Sequence, residues 1–299
     1  MILITDPKVR LVGRQQIDET VLAEFLEDHE VGQWVTDTEV AAERLTEVAG
    51  RLCYMSFAKP RPGGNKAYLY HILEVGHGSV LEHAIWNFII SGVSRSFTHE
   101  LVRHRAGCGF SQLSQRYVDE SVAEYVVPYG LREEVLEAEE YLSSYLRRFP
   151  PSHGEVASVV HLSEKSKEEL DSIIRLAPLE LKDLDLVKVQ AGLKWLRSVY
   201  CCTEDYGYLV SYIYERLLHA GYQDFLSHFL FPSLQEAVSK EAWLKSRPAD
   251  FKTALRKEAR QAARSVLPNA TETKIFVTMN ARAIRHFLEM RASRFAEPE

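Results

Sequence analysis

The fifteen residues from Arg103 to Tyr117, Arg-His-Arg-Ala-Gly-Cys-Gly-Phe-Ser-Gln-Leu-Ser-Gln-Arg-Tyr, constrain this chain more than any other stretch. Two arginines flank a histidine, a glycine-punctuated turn follows, and Ser111, Gln112, Ser114, Gln115 and Arg116 come in quick succession. So many donors suited to anionic or amide-like groups are rarely spent on a core element. Taken alone, a basic helix end beside a polar loop accounts for them as well as a ligand site does.

The rest of the composition is that of an ordinary soluble globular protein. Of 299 residues, 46% are hydrophobic and 26% charged, enough for a sizeable core. A net charge of −6 argues against a surface that binds nucleic acid as a whole, so any anion site is local. Cys53, Cys108, Cys201 and Cys202 lack metal-ligand spacing, and the adjacent pair suits a reducing compartment. Met-Ile-Leu-Ile-Thr-Asp at the start lacks a basic leader and a long apolar run, and no stretch approaches a membrane span. The expectation is a cytoplasmic protein.

Strands are expected at Ile2–Ile4 and Val9–Val12, then a helical pattern from Glu19 to Glu47. Lys59-Pro60-Arg61-Pro62-Gly63-Gly64 is a loop, after which Asn65 can cap a helix that runs to Val75 and stops at Gly76. Ala84–Ile90 reads as a strand that Gly92 breaks. A helix over Ser94–Arg105 would place Arg103, His104 and Arg105 in its last turn, where the dipole favours cations. Leu131–Arg148 reads as a helix stopped by Phe149-Pro150-Pro151, and residues 152–186 show no firm pattern. Val187–Ala220 is strongly helical, its tyrosines (Tyr200, Tyr206, Tyr208, Tyr212, Tyr214) expected in core or subunit contact.

Phe231-Pro232 and Arg247-Pro248 mark breaks. In the helix Thr253–Val266, Arg256 and Arg260 read as a solvated basic face. Lys274–Met279 is β-branched strand, and Asn280 can cap a final helix to about Ala292. Ile284, Phe287 and Leu288 form its apolar face, with Arg291 beside them. A charge pointing at a core needs a partner, which singles out Arg291.

Several familiar sites are excluded. His99-Glu100-Leu101-Val102-Arg103-His104 resembles a zinc-protease helix, but its histidines are five apart rather than four and would diverge. His77, Glu82 and His83 match no strong metal spacing, and no metal is expected. There is no Gly-x-Gly-x-x-Gly after a strand, no Walker loop and no Gly-x-Ser-x-Gly elbow.

Taken together, Arg-His-Arg, the Ser-Gln-x-Ser-Gln-Arg-Tyr tail, Gly-His-x-Ser-x-x-Glu-His at 76–83 and Asn-Ala-Arg at 280–282 with a later Arg-Ala resemble the flavin-dependent thymidylate synthase family. The likeness covers about residues 74–120 and 260–296, with weaker agreement at Arg51–Tyr54. It implies an α+β fold, an antiparallel-rich sheet flanked by helices, in a single domain over 1–299 with a mainly helical insertion at about 120–250. It also implies a homotetramer with active sites where subunits meet, bound FAD, and methylation of dUMP at C5 to dTMP. Methylenetetrahydrofolate and NADPH would be co-substrates, with no nucleic-acid or membrane partner. By position, Ser79, Arg103, His104, Arg105, Gln112, Asn280, Arg282 and His286 correspond to FAD contacts. Glu100, Arg103, Gln112, Leu113, Ser114, Gln115, Arg116, Arg264 and Arg291 correspond to dUMP contacts. Arg291 is similar to the arginine that favours the ionised uracil N3, and His77 to the family's functionally sensitive histidine.

The chemistry of these residue types agrees. A phosphate wants guanidinium, hydroxyl and amide donors, which Ser114, Gln115, Arg116 and Arg264 supply. A uracil made nucleophilic at C5 gains from a cation at its N3/O2 edge, without a nucleophilic cysteine. Three departures stand out. The stretch Ala106–Leu113 is one residue longer than usual, and Ala106–Phe110 is expected to absorb the extra residue as a loose turn. Glu100 replaces a usual glutamine, and His286 a usual asparagine. The first two keep a UMP methylase open as the alternative. A non-catalytic RNA or single-strand binder, using Arg-His-Arg and the tyrosines, is disfavoured by the acidic net charge.

Overall fold

The computed structural model describes residues 2–31, 34–120, 123–148, 186–228, 238–293 and 296. The chain forms two compact units: a sheet unit (Pro7–Gln112 and Thr273–Glu299) and a helical unit (Met1–Asp6 and Leu113–Glu272). The expected stop at Phe149-Pro150-Pro151, the stretch 152–185 and the break at Phe231-Pro232 lie outside the described residues.

The sheet unit is built on four strands in the order β2–β3–β6–β4. β2 (Lys8–Arg14) runs antiparallel to β3 (Ile85–Ser94), with a register shift between Leu11 and Gly13. β4 (Cys108–Gln112) runs antiparallel to β6 (Glu272–Asn280), Cys108 opposite Met279 and Gln112 opposite Ile275. Along β6, Thr273, Ile275, Val277 and Met279 are buried while Lys274 and Phe276 face out, the period of two that a half-buried strand requires. Ile275, Val277 and Met279 pack with Leu101 from α4 (Arg95–Leu101) and with Ala283, Ile284 and Phe287 from α9 (Ala281–Arg291). The architecture is α+β, with antiparallel pairing in this sheet as the resemblance implies.

Several local expectations change. The helical pattern over Glu19–Glu47 is two helices, α1 (Glu19–Asp28) and α2 (Ala41–Leu52). The first ends where Glu30 takes φ +57° and the Val31 N–H reaches back to the Leu26 carbonyl, a left-handed stop that hydrophobic periodicity does not reveal. Gly92 does not end its strand: at φ +70° it kinks β3, which continues to Ser94, and the Ser94 hydroxyl accepts from the Phe97 N–H to start α4. Asn65 is no cap. It lies buried in the first turn of α3 (Gly64–Glu74), while Gly76 follows that helix at φ +73° in the expected place.

In the helical unit, β1 (Ile2–Ile4) pairs in parallel with β5 (Glu124–Val126). The long helix α6 (Leu186–Ser227) packs against α5 (Arg132–Arg148) and α8 (Phe251–Ala263). Val189, Leu193, Leu196 and Val199 recur at helical spacing and meet Val135 and Ala138. The tyrosine stripe divides: Tyr206 is fully buried, whereas Tyr208 and Tyr212 are exposed and stack at 6.0 Å. α7 (Lys240–Lys245) carries the buried Trp243, whose ring packs with the half-buried Tyr222 and Phe251. Among the described residues no helix is long and apolar enough to cross a membrane.

One buried ion pair organises the non-sheet part of the sheet unit. Arg51 Nε donates to Glu47 Oε1 at 2.7 Å, and both side chains are about 4% exposed or less. The other Glu47 oxygen accepts from Thr36 Oγ1 and Asn65 Nδ2, while Arg51 Nη1 reaches the carbonyls of Ser56 and Lys59. Removing one member strands the other charge in a dry site. Glu47→Gln is therefore expected to cost about 3–5 kcal/mol in urea denaturation; an unmoved midpoint would show that the pair does not hold this region.

Candidate active site

Arg103, His104 and Arg105 lie beyond the end of α4, not in its last turn. The helix closes at Leu101, and the amides of Arg103 and His104 bond back three residues, to Glu100 and Leu101, in a tightening turn. The chain then turns at Gly107 (φ +71°) and enters β4 at once. The stretch read as a loose turn is thus mostly strand, with Cys108 and Phe110 packed on the core and an unbroken ladder to β6.

This turn faces the end of α9. Glu100 Oε1 stands 3.0 Å from Arg103 Nη1 in an ion pair, Arg103 Nη1 donates to Glu100 Oε2 at 3.4 Å, and Glu100 Oε2 stands 3.5 Å from Arg291 Nη2. Arg291 Nε donates to His104 Nε2 at 3.4 Å. The His104 ring meets His286 and Phe287 edge-on at 6.1 and 5.4 Å. Arg291 is not directed at the core; its side chain is 40% exposed, and its partners are Glu100 and His104. Burial first, then the neighbouring charges of Arg291 and His286, hold the His104 pKa below its ordinary value, against the opposing pull of Glu100. A neutral ring is what the Arg291 contact requires, because Nε2 must accept.

Beside this group lies a cavity of 650 Å³ whose lining includes Gly78, Glu82, Gly107, Asn280, Arg282 and His286. Asn280 builds the corner. Its N–H donates to the Gly107 carbonyl at 3.0 Å, and its Oδ1 caps α9 by accepting from the Ala283 N–H at 2.8 Å. A Cβ on Gly107 would come within 2.4 Å of the Asn280 amide, so the close approach needs glycine. Arg282 pairs with Glu82 at 2.5 Å across the cavity wall. The N-terminus of α9 and Arg282, both on the cavity lining, are donors of the kind an anionic group takes, and the glycine wall leaves room for close approach.

The other expected residues fall as follows. Gln112 donates its amide to Thr98 Oγ1 at 2.7 Å and Thr273 Oγ1 at 3.3 Å, which ties β4 to α4 and β6. Ser79 is exposed on the 3-10 turn Gly78–His83, and the His77 ring lies near-parallel to Tyr54 at 6.3 Å. Leu113, Ser114, Gln115, Arg116 and Arg264 belong to the helical unit. There Ser114 accepts from the Tyr117 and Val118 amides, while Gln115 Nε2 and Arg116 Nε are buried without a hydrogen-bond partner among the described residues. Arg264 is exposed at the end of α8.

Arg260 was read as solvated and is not. Its guanidinium donates to the Tyr117 carbonyl at 2.9 Å and to Asp119 at 2.5 Å, fastening the segment just after Arg116. The four-residue spacing of Arg256, Arg260 and Arg264 was visible; the acidic Asp119 at the tail of the motif was the overlooked signal.

Residues 35–299 match the family described as Thymidylate synthase complementing protein. The flavin-dependent thymidylate synthase of Mycobacterium marinum (strain ATCC BAA-535 / M) is 36% identical over 280 residues, 92% of this chain and 77% of that one. Its counterpart in Mycobacterium sp. (strain JLS) is 38% identical over 269 residues, 89% and 74% of the respective chains. Among solved structures, the UMP/dUMP methylase PolB from Streptomyces cacaoi bound with 5-Br dUMP aligns with 100% of this chain and 86% of its own, at 18% identity and a TM-score of 0.47. ThyX from Helicobacter pylori with FAD and dUMP aligns with 85% and 81%, at 20% identity and a TM-score of 0.39. On the family match over most of its length and the identity to these mycobacterial relatives, the chain belongs to the flavin-dependent thymidylate synthase family.

Proposed function

We propose that this chain methylates dUMP at C5 to dTMP, using FAD, methylenetetrahydrofolate and NADPH. The observation that carries the reading is the meeting of Glu100, Arg103, His104 and Arg291 beside a glycine-walled cavity, from parts of the chain nearly two hundred residues apart. Bound FAD supplies the redox chemistry that reduces the transferred one-carbon unit. Asn280, Arg282, His286 and Ser79, with the Arg103–Arg105 turn, are the residues proposed to hold it.

Arg291 is assigned to the uracil N3/O2 edge. Negative charge develops there as C5 becomes nucleophilic, and a fixed guanidinium stabilises it without a covalent step. His104, neutral, accepts from Arg291 Nε and so orients the guanidinium; Glu100 restrains the other face and keeps Arg103 beside it. Ser114, Gln115, Arg116 and Arg264 are proposed for the nucleotide phosphate. The buried Gln115 Nε2 and Arg116 Nε, unpartnered among the described residues, support this. His77 is proposed to act on a co-substrate.

A homotetramer with shared active sites is part of the proposal. Val9, Leu11 and Val12 stand 64, 40 and 49% exposed on edge strand β2, an apolar strip that subunit contact would cover. A cytoplasmic location is also proposed; Cys53, Cys108 and Cys202 are free thiols, in keeping with a reducing compartment.

Purified protein is expected to be yellow and to release tritium from C5-labelled dUMP when folate and NADPH are supplied. Colourless protein that stays inactive after FAD is added overturns the reading, and a higher kcat/KM for UMP than for dUMP reassigns the substrate. Arg291→Gln should lower kcat about 10²–10³-fold while flavin content stays constant.

The lowered His104 pKa has a definite sign. Between its folded value and the ordinary 6.5, a free imidazole is mostly charged while His104 is mostly neutral, so the Arg291 contact survives in that window and is lost on further acidification. NMR titration should place the His104 midpoint below 6.5, and Arg291→Gln should move it upward. A midpoint at or above 6.5 in the intact protein contradicts the assignment of His104 as acceptor.

A further inference from the structure

Residues 113–120 of the helical unit form neither helix nor strand, so no ladder holds them in place. The Ser114 carbonyl accepts from the Tyr117 and Val118 amides, and the Ser114 hydroxyl accepts from the Arg116 N–H at 3.4 Å, closing a tight turn around Gln115 and Arg116. Such a turn fixes its own curvature but not its direction. Two side chains of α8 supply that. Arg260 Nη1 donates to the Tyr117 carbonyl at 2.9 Å and Nη2 to Asp119 Oδ2 at 2.5 Å, so one planar fork grips the chain at two points. Lys257, three residues earlier on the same face, places Nζ 4.5 Å from the centre of the Tyr117 ring. α8 is itself fixed: Ala259 and Ala263 are completely buried, and the helix packs on α6. Arg264 follows Arg260 by one turn. The helix that carries one proposed phosphate donor thus holds, by a neighbouring arginine, the turn that carries the others.

We infer that Arg260 is a positioning residue for the nucleotide phosphate: through Tyr117 and Asp119 it sets the place of Ser114, Gln115 and Arg116 relative to Arg264, without itself meeting the nucleotide. This role rests on the dUMP reading above and adds to it a residue on which the phosphate donors depend. Preorganisation is the physical reason. Donors on an unsupported turn must be ordered when the anion arrives, and that ordering is subtracted from affinity; a turn already held loses nothing. The Arg260–Asp119 pair is 21 and 47% exposed, so it adds little to folding stability and its effect falls on placement.

The test uses the full chain carrying FAD. Hydrogen exchange on nucleotide-free protein reads the turn directly: Arg260→Gln is expected to speed exchange at the Tyr117 and Val118 amides about tenfold and to leave β6 unchanged. Equilibrium dialysis and turnover read the consequence. Arg260→Gln should raise the dUMP dissociation constant and KM about tenfold while kcat changes by less than about twofold. Asp119→Asn, which keeps the shape and removes the charge, should raise both about threefold. The decisive measurement is a double-variant cycle with Arg116→Gln. If Arg260 acts by placing Arg116, its loss weakens dUMP binding only about twofold once Arg116 is gone; a merely structural role leaves the two losses multiplying. Unchanged exchange in Arg260→Gln, unchanged dUMP affinity, or multiplying losses overturns the positioning role. Failure of wild type to bind dUMP sinks the methylase reading and this role with it, whereas normal wild-type binding beside an unmoved variant removes Arg260 alone.

Discussion

The candidate site depends on one junction, where β4 is laddered to β6 and Gly107 is locked against Asn280. The register Cys108 opposite Met279 brings the Arg-His-Arg turn to the start and side of α9. The Gly107–Asn280 bond then holds the helix cap and the turn as a single corner. Between the paired strands the chain leaves for the helical unit at Leu113 and returns at Thr273. Closing so long an excursion costs little more than closing a short one, because each doubling of length adds only about 0.6 kcal/mol. A large helical unit between the paired strands is therefore compatible with a junction that must close to within a hydrogen bond.

Charge balance at that corner sets the part that Glu100 plays. Its partners are 40–61% exposed, so each pair is worth at most about 1 kcal/mol and contributes little to folding. Its effect is geometric. Arg103 and Arg291 would repel one another if left facing the same space, and a shared carboxylate lets both guanidiniums point into one region before any ligand arrives. His104 fits the same logic from the other side, since a protonated ring would add a third positive charge and remove the acceptor that Arg291 uses.

How much of this was legible follows from what kind of information each feature carries. The β6 strand and the Asn280 cap were readable because alternation and capping are local, and the residues that express them are contiguous. The site residues were found through a resemblance in two blocks, not through periodicity. Two left-handed residues depart from the expected element ends, Glu30 splitting one expected helix and Gly92 lying within a strand that it was expected to end, whereas Gly76 stops its helix as expected. Asn65 had the composition of a cap and the position of a core residue, because Glu47, eighteen positions away, was waiting for its amide. Arg260 failed for the same reason, its partner Asp119 lying 141 residues away. Partnership between distant polar groups leaves no trace in a window of sequence.

Guanidinium groups in this chain play two parts, and their neighbours decide which. Arg51 is surrounded by a carboxylate and two carbonyls, with Nε, Nη1 and Nη2 each directed at one of them, so it acts as a structural pin. Arg116 is partly buried with Nε unpartnered among the described residues, beside a Gln115 amide in the same condition. A buried donor without an acceptor costs about 1–3 kcal/mol. Such a cost is tolerable in a folded state that an anionic ligand relieves, because binding to the folded form alone adds its own stabilisation. An unpartnered donor is not by itself a ligand site, since Arg260 Nε is equally unpartnered among the described residues while its other nitrogens fasten Tyr117 and Asp119; three-dimensional surroundings, not residue type, decide the part each arginine plays.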